Sequence, residues 1–125
     1  MWTDEWVGLP YRKLGRSRDG VDCLGLFVML QKARFDRDIY DPHCTMSQAA
    51  RKEVAKQQKT DWKPVLRAEE GDAMLFMVRG VEMHVGYCLP NKKMLHIEDG
   101  AGSIIEDWSI AKWGQRLEGI YRFAG

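Results

Sequence analysis

The sequence predicts an α+β fold, in which N-terminal helices pack on a mostly antiparallel sheet of about five or six strands. Helical patterns are confined to the first part of the chain, and from Gly71 the apolar residues follow the patterns typical of strands. Turn residues separate these strands at short intervals, which favours hairpins. Because the chain has 125 residues and no repeat or internal linker, we predict a single domain spanning 1–125.

The composition argues against several classes of protein. The net charge of +1 gives no electrostatic reason to expect nucleic-acid binding, and no apolar run is long enough for membrane insertion. Met1–Trp6 is acidic and aromatic, unlike a signal peptide, so we expect the protein to be cytoplasmic when synthesised. The three cysteines are odd in number and lack zinc-ligand spacing, which predicts free thiols in a reducing compartment and no bound metal.

The first elements are assigned from turn residues and aromatic anchors. Trp2–Trp6 is predicted to form a short helical turn, and Arg12–Gly20 a polar, basic loop punctuated by glycines. A peripheral second helix fits Ser47–Gln58, with Ser47 as a possible cap. The residues from 60 to 70 are expected to be irregular.

Cys23–Phe35 is predicted to form a buried helix that begins with a cysteine. The Asp22 carboxylate can cap this helix, which places Cys23 in the first turn, where the helix dipole favours a thiolate. The following residues are apolar on nearly every side, as expected for a helix inside a core. Gly25 is a poor helix former, which indicates that something approaches this turn closely. The alternative is that Cys23 is an ordinary small core side chain.

The C-terminal half reads as strands joined by turns. A continuous apolar strand, covered on both faces, is followed by alternating strands and one brief helical turn between Asp107 and Gly114. The predicted strands are Ala73–Val78, Val81–Leu89, Met94–Glu98, Ser103–Glu106 and Leu117–Phe123.

Two strand histidines could form a catalytic pair with the cysteine. His84 points away from the apolar face of its strand, and His96 lies on the matching side of the next strand. A tight turn at Asn91–Lys92 offsets them diagonally, so contact is expected to need twist or a bulge, for which Gly86 is a plausible place. A cysteine nucleophile needs a base and a group that orients the base. The alternative is two unrelated polar residues.

Several short motifs, by their order and spacing, resemble the NlpC-type cell-wall peptidases, which are compact papain-like cysteine peptidases. The resemblance implies the papain-like NlpC-type fold, with the catalytic cysteine at the N-terminus of the central helix. The matching pieces are Gly8-Leu9-Pro10-Tyr11, Asp22-Cys23-Leu24-Gly25-Leu26, Gly71-Asp72 before an apolar strand, His84-Val85-Gly86-Tyr87 and Asn91-Lys92-Lys93-Met94-Leu95-His96.

The same resemblance implies a role for each site residue. Cys23 is the nucleophile, His84 the general base and His96 the third group, which orients His84. Tyr11 would sit by the thiolate and help to bind the oxyanion, together with the backbone N–H of Cys23. Asp22 would hold the junction between loop and helix. The implied reaction is hydrolysis of peptidoglycan stem peptides, typically between γ-linked D-glutamate and a diamino acid, without metal or cofactor.

Two further hypotheses concern substrate and origin. Arg16 and Arg18, in the basic loop, could bind a stem-peptide carboxylate, although a solvated surface loop is the simpler interpretation.

Leu24 stands where the family usually has a small hydroxyl residue, and we expect this difference to alter the substrate groove. Bulky residues there resemble phage-encoded members linked to tail assembly. This implies phage tail proteins as partners, and delivery in the virion or by lysis to the cell wall.

Two rival functions remain compatible with the sequence. Papain-like folds also serve as amidases, transglutaminase-like enzymes and acyltransferases, which would keep the catalytic set and change the substrate. The other alternative is a non-catalytic tail component or wall-binding module. The complete set of Cys23, His84 and His96 favours catalysis, because a binding module would have no need of all three.

Overall fold

The computed structural model describes residues 1–51, 61–80 and 82–125 of the chain. None of the helices in these ranges is long and apolar enough to cross a bilayer. In chain order the elements are a 3₁₀ turn (Trp2–Trp6), β1 (Arg16–Ser17), β2 (Gly20–Val21), α1 (Cys23–Phe35), α2 (Met46–Arg51), β3 (Trp62–Pro64), β4 (Ala73–Val78), β5 (Glu82–Leu89), β6 (Lys93–His96), β7 (Ile104–Asp107), α3 (Ala111–Arg116) and β8 (Leu117–Phe123).

The main sheet has six strands in the order β3-β8-β4-β5-β6-β7. Every pair of neighbours in this sheet is antiparallel. The strands from β4 to β7 follow one another through short connections, as the turn residues predicted, whereas β8 returns to pair between β3 and β4. The α+β fold with its antiparallel sheet is therefore confirmed.

The sheet is covered by apolar residues on both faces. Val85, Tyr87 and Leu89 of β5 join the core that contains α1, whereas Cys88 of the same strand joins a second cluster around Trp113 of α3. This division follows from the alternation of side chains along a strand. The continuous apolar run of β4 has the same cause, because its successive residues enter the two clusters in turn.

Helix α1 begins and ends at the predicted residues. The Asp22 side chain accepts a hydrogen bond from the Gly25 backbone N–H at 2.8 Å, as an N-cap does, which contributes about 1 kcal/mol to helix stability. The helix ends at Phe35, and the left-handed backbone of Asp36 caps it. A methyl group on Gly25 would collide with the carbonyl oxygen of Gly15. The close approach inferred from this glycine is therefore confirmed.

Two predictions about the N-terminal half were wrong in detail. The basic segment Arg12–Gly20 forms most of the β1–β2 hairpin, whose strands are too short to show a period in the sequence. Ser47 does not cap the second helix, because its hydroxyl accepts the Met83 backbone N–H at 3.0 Å. Thr45 and Gln48 instead exchange side-chain to backbone hydrogen bonds as a capping box. The predicted helix beyond Arg51 lies outside the described residues.

Two further differences arise in the C-terminal half. The segment expected to be irregular contains β3, which pairs with β8 at the edge of the sheet, where Pro64 is tolerated. The Asp107 carboxylate accepts hydrogen bonds from the backbone N–H and hydroxyl of Ser109, which forms a turn before α3 begins. Helix α3 therefore starts later than predicted and continues to Arg116.

The β5–β6 hairpin sets the positions of the two histidines. Asn91 and Lys92 both have positive φ, 63° and 60°, as in the tight turns that favour regular hairpins. Tyr87 faces Leu95 with no register shift in this pair, and Gly86 also pairs regularly with Met74 of β4. The predicted bulge at Gly86 is therefore absent. A side chain at Gly86 would instead collide with the Met94 side chain.

Candidate active site

Cys23 stands at the first position of α1, where the chain passes from the β1–β2 hairpin into the core helix. Its side chain is partly exposed and packs at the border of the main core. Helix α1 packs against β5, where Val85 follows His84, and the Val85 backbone lowers the pKa of the thiol. The fold therefore brings the predicted nucleophile next to the strand that carries the predicted base.

The expected thiolate is not favoured in the free protein. Burial raises the pKa of Cys23 to about 12, and the negative charge of Asp22 acts in the same direction. Backbone hydrogen bonds at Val85 and Leu24 lower the pKa but are outweighed. The helix N-terminus therefore does not by itself ionise the thiol, and a base must remove the proton during attack.

The two histidines form a hydrogen-bonded pair. Nε2 of His84 lies 2.8 Å from Nδ1 of His96, although the residues are offset diagonally across the β5–β6 ladder. Nε2 of His96 lies 2.9 Å from Oε1 of Glu106 in β7. Their rings are nearly perpendicular, with centroids 5.0 Å apart. The long imidazole side chains bridge the diagonal without a bulge, and the three residues make one continuous chain of polar contacts.

Trp113 of α3 covers this pair. Its indole stacks on His84 at 5.1 Å between ring centroids, and it meets His96 edge-on at 4.9 Å. Burial lowers the pKa of His84 to about 3, and it also lowers the pKa of His96, where hydrogen bonding to Glu106 acts in the opposite direction. Both imidazoles are therefore neutral near pH 7, and His84 is free to accept a proton.

Tyr11 lies at a cleft of about 420 Å³. An isolated β-bridge to Val21 holds Tyr11 beside the end of β2, just before the cysteine. Burial raises the pKa of Tyr11, and the nearby acidic groups Asp99, Asp22 and Cys23 raise it further. The phenol therefore keeps its proton and can donate a hydrogen bond. The cleft is lined by Pro10, Tyr11, Asp99, Gly100, Ala101 and Gly102.

Asp22 ties the hairpin to the helix. Besides capping α1, its carboxylate accepts the Leu14 backbone N–H at 3.0 Å and pairs with Nη1 of Arg16 at 2.8 Å. Arg16 also pairs with Asp41 at 2.9 Å and donates to the Cys44 carbonyl at 3.0 Å. The junction proposed for Asp22 is therefore visible in its contacts, and Arg16 is part of it.

Arg18 lies in a different environment from Arg16. Its guanidinium pairs with the Glu5 carboxylate at 2.9 Å and lies 4.1 Å from the ring centroid of Trp6. Both partners of this ion pair are exposed to solvent. The structure therefore does not bring the two arginines together, and each already has a carboxylate partner within the protein.

Removing Arg16 should destabilise the protein much more than removing Arg18. Arg16→Ala leaves the Asp22 carboxylate buried without its cation, and we expect a loss of about 2–4 kcal/mol in the free energy of unfolding. Arg18→Ala breaks an exposed pair and should cost about 0–1 kcal/mol. Urea unfolding of both variants measures the difference. Equal losses would contradict it, and an increased KM for Arg18→Ala would support carboxylate binding.

Leu24 packs inside the protein, and its effect on the substrate groove stays a prediction. The side chain is only 3% exposed and belongs to the main core. The side chain therefore does not line the cleft beside Tyr11. An apolar residue is favoured at this position because α1 is surrounded by core on the face that Leu24 occupies.

Glu106 and Trp113 are site residues that sequence reasoning missed. Glu106 lies in a strand that was predicted, but its contact with His96 depends on the β6–β7 register, in which His96 faces Ile104. Trp113 lies in a helix of only six residues that crosses the second face of the sheet. The sequence showed that a carboxylate, Glu106, lies on the strand after His96. It did not show that this carboxylate contacts His96.

The chain is similar in sequence to known proteins of one family. A model of the NlpC/P60 family matches residues 8–122. The chain is 35% identical over 121 residues to the "Probable endopeptidase" of Haemophilus influenzae, a match that covers 90% of this chain and 68% of that protein. It is 26% identical over 112 residues to the "Murein DD-endopeptidase MepS/Murein LD-carboxypeptidase" of Escherichia coli strain K12, covering 90% of this chain and 54% of that protein.

The fold is shared with a solved structure. A lipoprotein-like protein of the NLP/P60 family from Staphylococcus aureus superposes with a TM-score of 0.67 at 25% sequence identity, covering 98% of this chain and 40% of that one. The chain thus spans about half of the Escherichia coli protein and less than half of this structure. The likeness extends over almost the whole of the present chain.

Proposed function

The chain belongs to the NlpC/P60 family, and from this premise we propose that it is a cysteine peptidase acting on the stem peptides of bacterial peptidoglycan. The observation that carries the proposal is the Cys23 thiol at the start of α1, beside a strand whose His84 is neutral and hydrogen-bonded to His96. The substrate class is supported by the relatives, which are named as endopeptidases, one of them of murein.

The proposed reaction begins with proton transfer. His84 accepts the proton of the Cys23 thiol while the sulfur attacks the carbonyl carbon of the scissile amide. The carbonyl π electrons move to oxygen, and this oxyanion is stabilised by the Tyr11 hydroxyl and by the backbone N–H of Cys23. His84 then gives the proton to the leaving nitrogen, the C–N bond breaks, and an amine and a thioester are formed.

Water completes the cycle. His84 accepts a proton from water, whose oxygen attacks the thioester carbonyl, and a second tetrahedral oxyanion forms. This intermediate collapses by breaking the C–S bond, and the sulfur regains its proton from His84. The net reaction consumes one water and releases a carboxylic acid and an amine. In this scheme His96 holds His84, and Asp22 holds the loop and helix from which Cys23 acts.

We propose that the bond cleaved joins γ-linked D-glutamate to the diamino acid of the stem. The test uses purified muropeptides with defined tripeptide and tetrapeptide stems, and mass spectrometry of the products. We expect a new amino terminus on the diamino acid, formed by the parent protein and not by Cys23→Ala. Cysteine-dependent cleavage at another bond would refute the bond assignment and retain the peptidase.

The same experiment tests the alternatives. Cysteine-dependent ammonia release or acyl transfer from glutamine-containing proteins, without stem cleavage, would favour the amidase or acyltransferase function. Binding to cell walls that survives Cys23→Ala, with no cleavage by the parent, would favour the non-catalytic module. We favour catalysis because the neutral histidine pair is buried beneath Trp113, an arrangement that wall binding would not require.

Association with a phage tail and delivery to the wall in a virion stay predictions. One ground for them is Leu24, whose side chain is buried in the main core. Synthesis in the cytoplasm is likewise an expectation from the sequence. Detection of the protein in purified virions by mass spectrometry would support the phage assignment, and its absence from them would contradict that assignment.

A further inference from the structure

We infer that Glu106 is a positioning residue, which sets the tautomers of His96 and His84 so that Nδ1 of His84 is left to take the proton of Cys23. The atoms in contact carry this inference. Nε2 of His96 lies 2.9 Å from Oε1 of Glu106, and Nδ1 of His96 lies 2.8 Å from Nε2 of His84. Its catalytic consequence rests on the proposed function, whereas the tautomers do not.

The assignment follows from counting protons along the chain of contacts. A glutamate carboxylate only accepts hydrogen bonds, so Nε2 of His96 must carry the hydrogen that it donates to Glu106. A neutral imidazole has one N–H, which leaves Nδ1 of His96 as an acceptor. The hydrogen between the two rings therefore belongs to Nε2 of His84. Nδ1 of His84 is then unprotonated.

The surroundings favour neutral rings and provide few competing partners. His96 is only 1% exposed, and Trp113 contacts both imidazoles. Water therefore has little access to the ring nitrogens as an alternative hydrogen-bond partner. The charged groups that face His96 are Glu106 of β7, Glu98 just after β6 and Lys112 of α3. Among these groups only Glu106 is hydrogen-bonded to the ring, and Glu98 instead pairs with Lys112 at 3.4 Å.

The opposite tautomer would be unproductive. If His96 carried its hydrogen on Nδ1, it would donate to His84, and neutral His84 would carry its own hydrogen on Nδ1, the nitrogen needed as the base. In a serine protease, holding the catalytic histidine in the wrong tautomer lowers kcat by about 10⁴-fold. Glu106 also places a negative charge beyond His96, which stabilises the imidazolium formed when His84 takes the proton.

Nuclear magnetic resonance tests the tautomers without a substrate. Long-range nitrogen–proton correlation spectra of the ¹⁵N-histidine-labelled protein distinguish protonated from unprotonated ring nitrogens. At neutral pH we expect Nε2 to be protonated and Nδ1 unprotonated in both His84 and His96. A hydrogen on Nδ1 of either ring would overturn the inference, and this measurement on the parent protein needs no variant to fold.

Glu106→Met removes the acceptor while keeping a side chain of similar length. We expect mixed tautomers at His96 and His84, and a loss of about 10–10³-fold in kcat with KM little changed. Glu106→Asp keeps a carboxylate and should restore part of both properties. Unchanged tautomers in folded Glu106→Met would overturn the inference.

Glu98→Gln is the matched control. Both carboxylates raise the pKa of His96, so losing either should lower the pH at which that ring becomes protonated, which the same spectra measure. Of these two carboxylates only Glu106 is hydrogen-bonded to the His96 ring, so only its loss should change the tautomers. The expected tautomers in a protein that cleaves no stem peptide would refute the proposed function and retain the inference. Stem cleavage with the opposite tautomers would support the proposed function and refute the inference.

Discussion

Replacement of Cys23 by alanine is expected to reduce stem-peptide cleavage by at least about 10⁴-fold, because it removes the sulfur that forms the acyl intermediate. The side chain lies at the border of the core and is partly exposed, so the free energy of unfolding should fall by no more than about 1 kcal/mol. Product analysis by mass spectrometry and urea unfolding measure the two effects separately.

The other two cysteines provide the controls for this variant. Cys44 is buried in the main core, and Cys88 is buried in the second cluster around Trp113. Their alanine variants should lose stability through cavity formation and keep their specific activity per folded molecule. If Cys23→Ala retained cleavage, or if it failed to fold while Cys44→Ala folded, the nucleophile assignment would be wrong and Cys23 would be a core residue.

The second large effect concerns the general base. His84→Ala should reduce kcat by about 10²–10⁴-fold, and His96→Ala should reduce it less, because removing the base costs more than leaving it poorly oriented. Burial holds the pKa of His84 far below that of a free histidine, at about 3. The acid limb of kcat/KM in the parent protein should therefore lie below pH 6.5, since activity is lost only as His84 becomes protonated.

Two variants make this comparison specific. His96→Asn keeps an oxygen near the position of Nδ1 and can still accept the Nε2 hydrogen of His84, so it should retain more activity than His96→Ala. His43→Ala removes a histidine whose side chain is exposed and should have no effect on kcat. Equal losses for His84→Ala and His96→Ala would contradict the roles assigned to the pair.

Local chemistry accounts for what could be predicted about the elements. Asp22 is a strong cap and Asp36 a tolerable left-handed residue, so α1 was bounded correctly at both ends. The strands β4 and β8 were also bounded correctly, because an apolar run between turn residues has few alternatives. The β1–β2 hairpin and β3 were missed because strands of two or three residues contain no measurable period.

For the site, Cys23, His84 and His96 could be predicted from the sequence, but the ionisation of the thiol could not. The choice of Cys23, His84 and His96 as a group needed only residue types, strand faces and the family resemblance. The ionisation of the thiol was predicted from the helix dipole alone, whereas the structure adds the desolvation of Cys23, which acts in the opposite direction and is larger. Burial depends on every element that packs around the thiol, and no local pattern contains that information.

The sequence by itself determined the α+β class, the bounds of α1 and the faces on which His84 and His96 lie, because capping and alternation are local properties. Only the tertiary structure decided that the two imidazoles bond across the diagonal, that Glu106 is bonded to His96 and that Trp113 covers both rings. These contacts join residues of β5, β6, β7 and α3. They depend on strand register and on helix packing, which are set by the burial of the whole sheet.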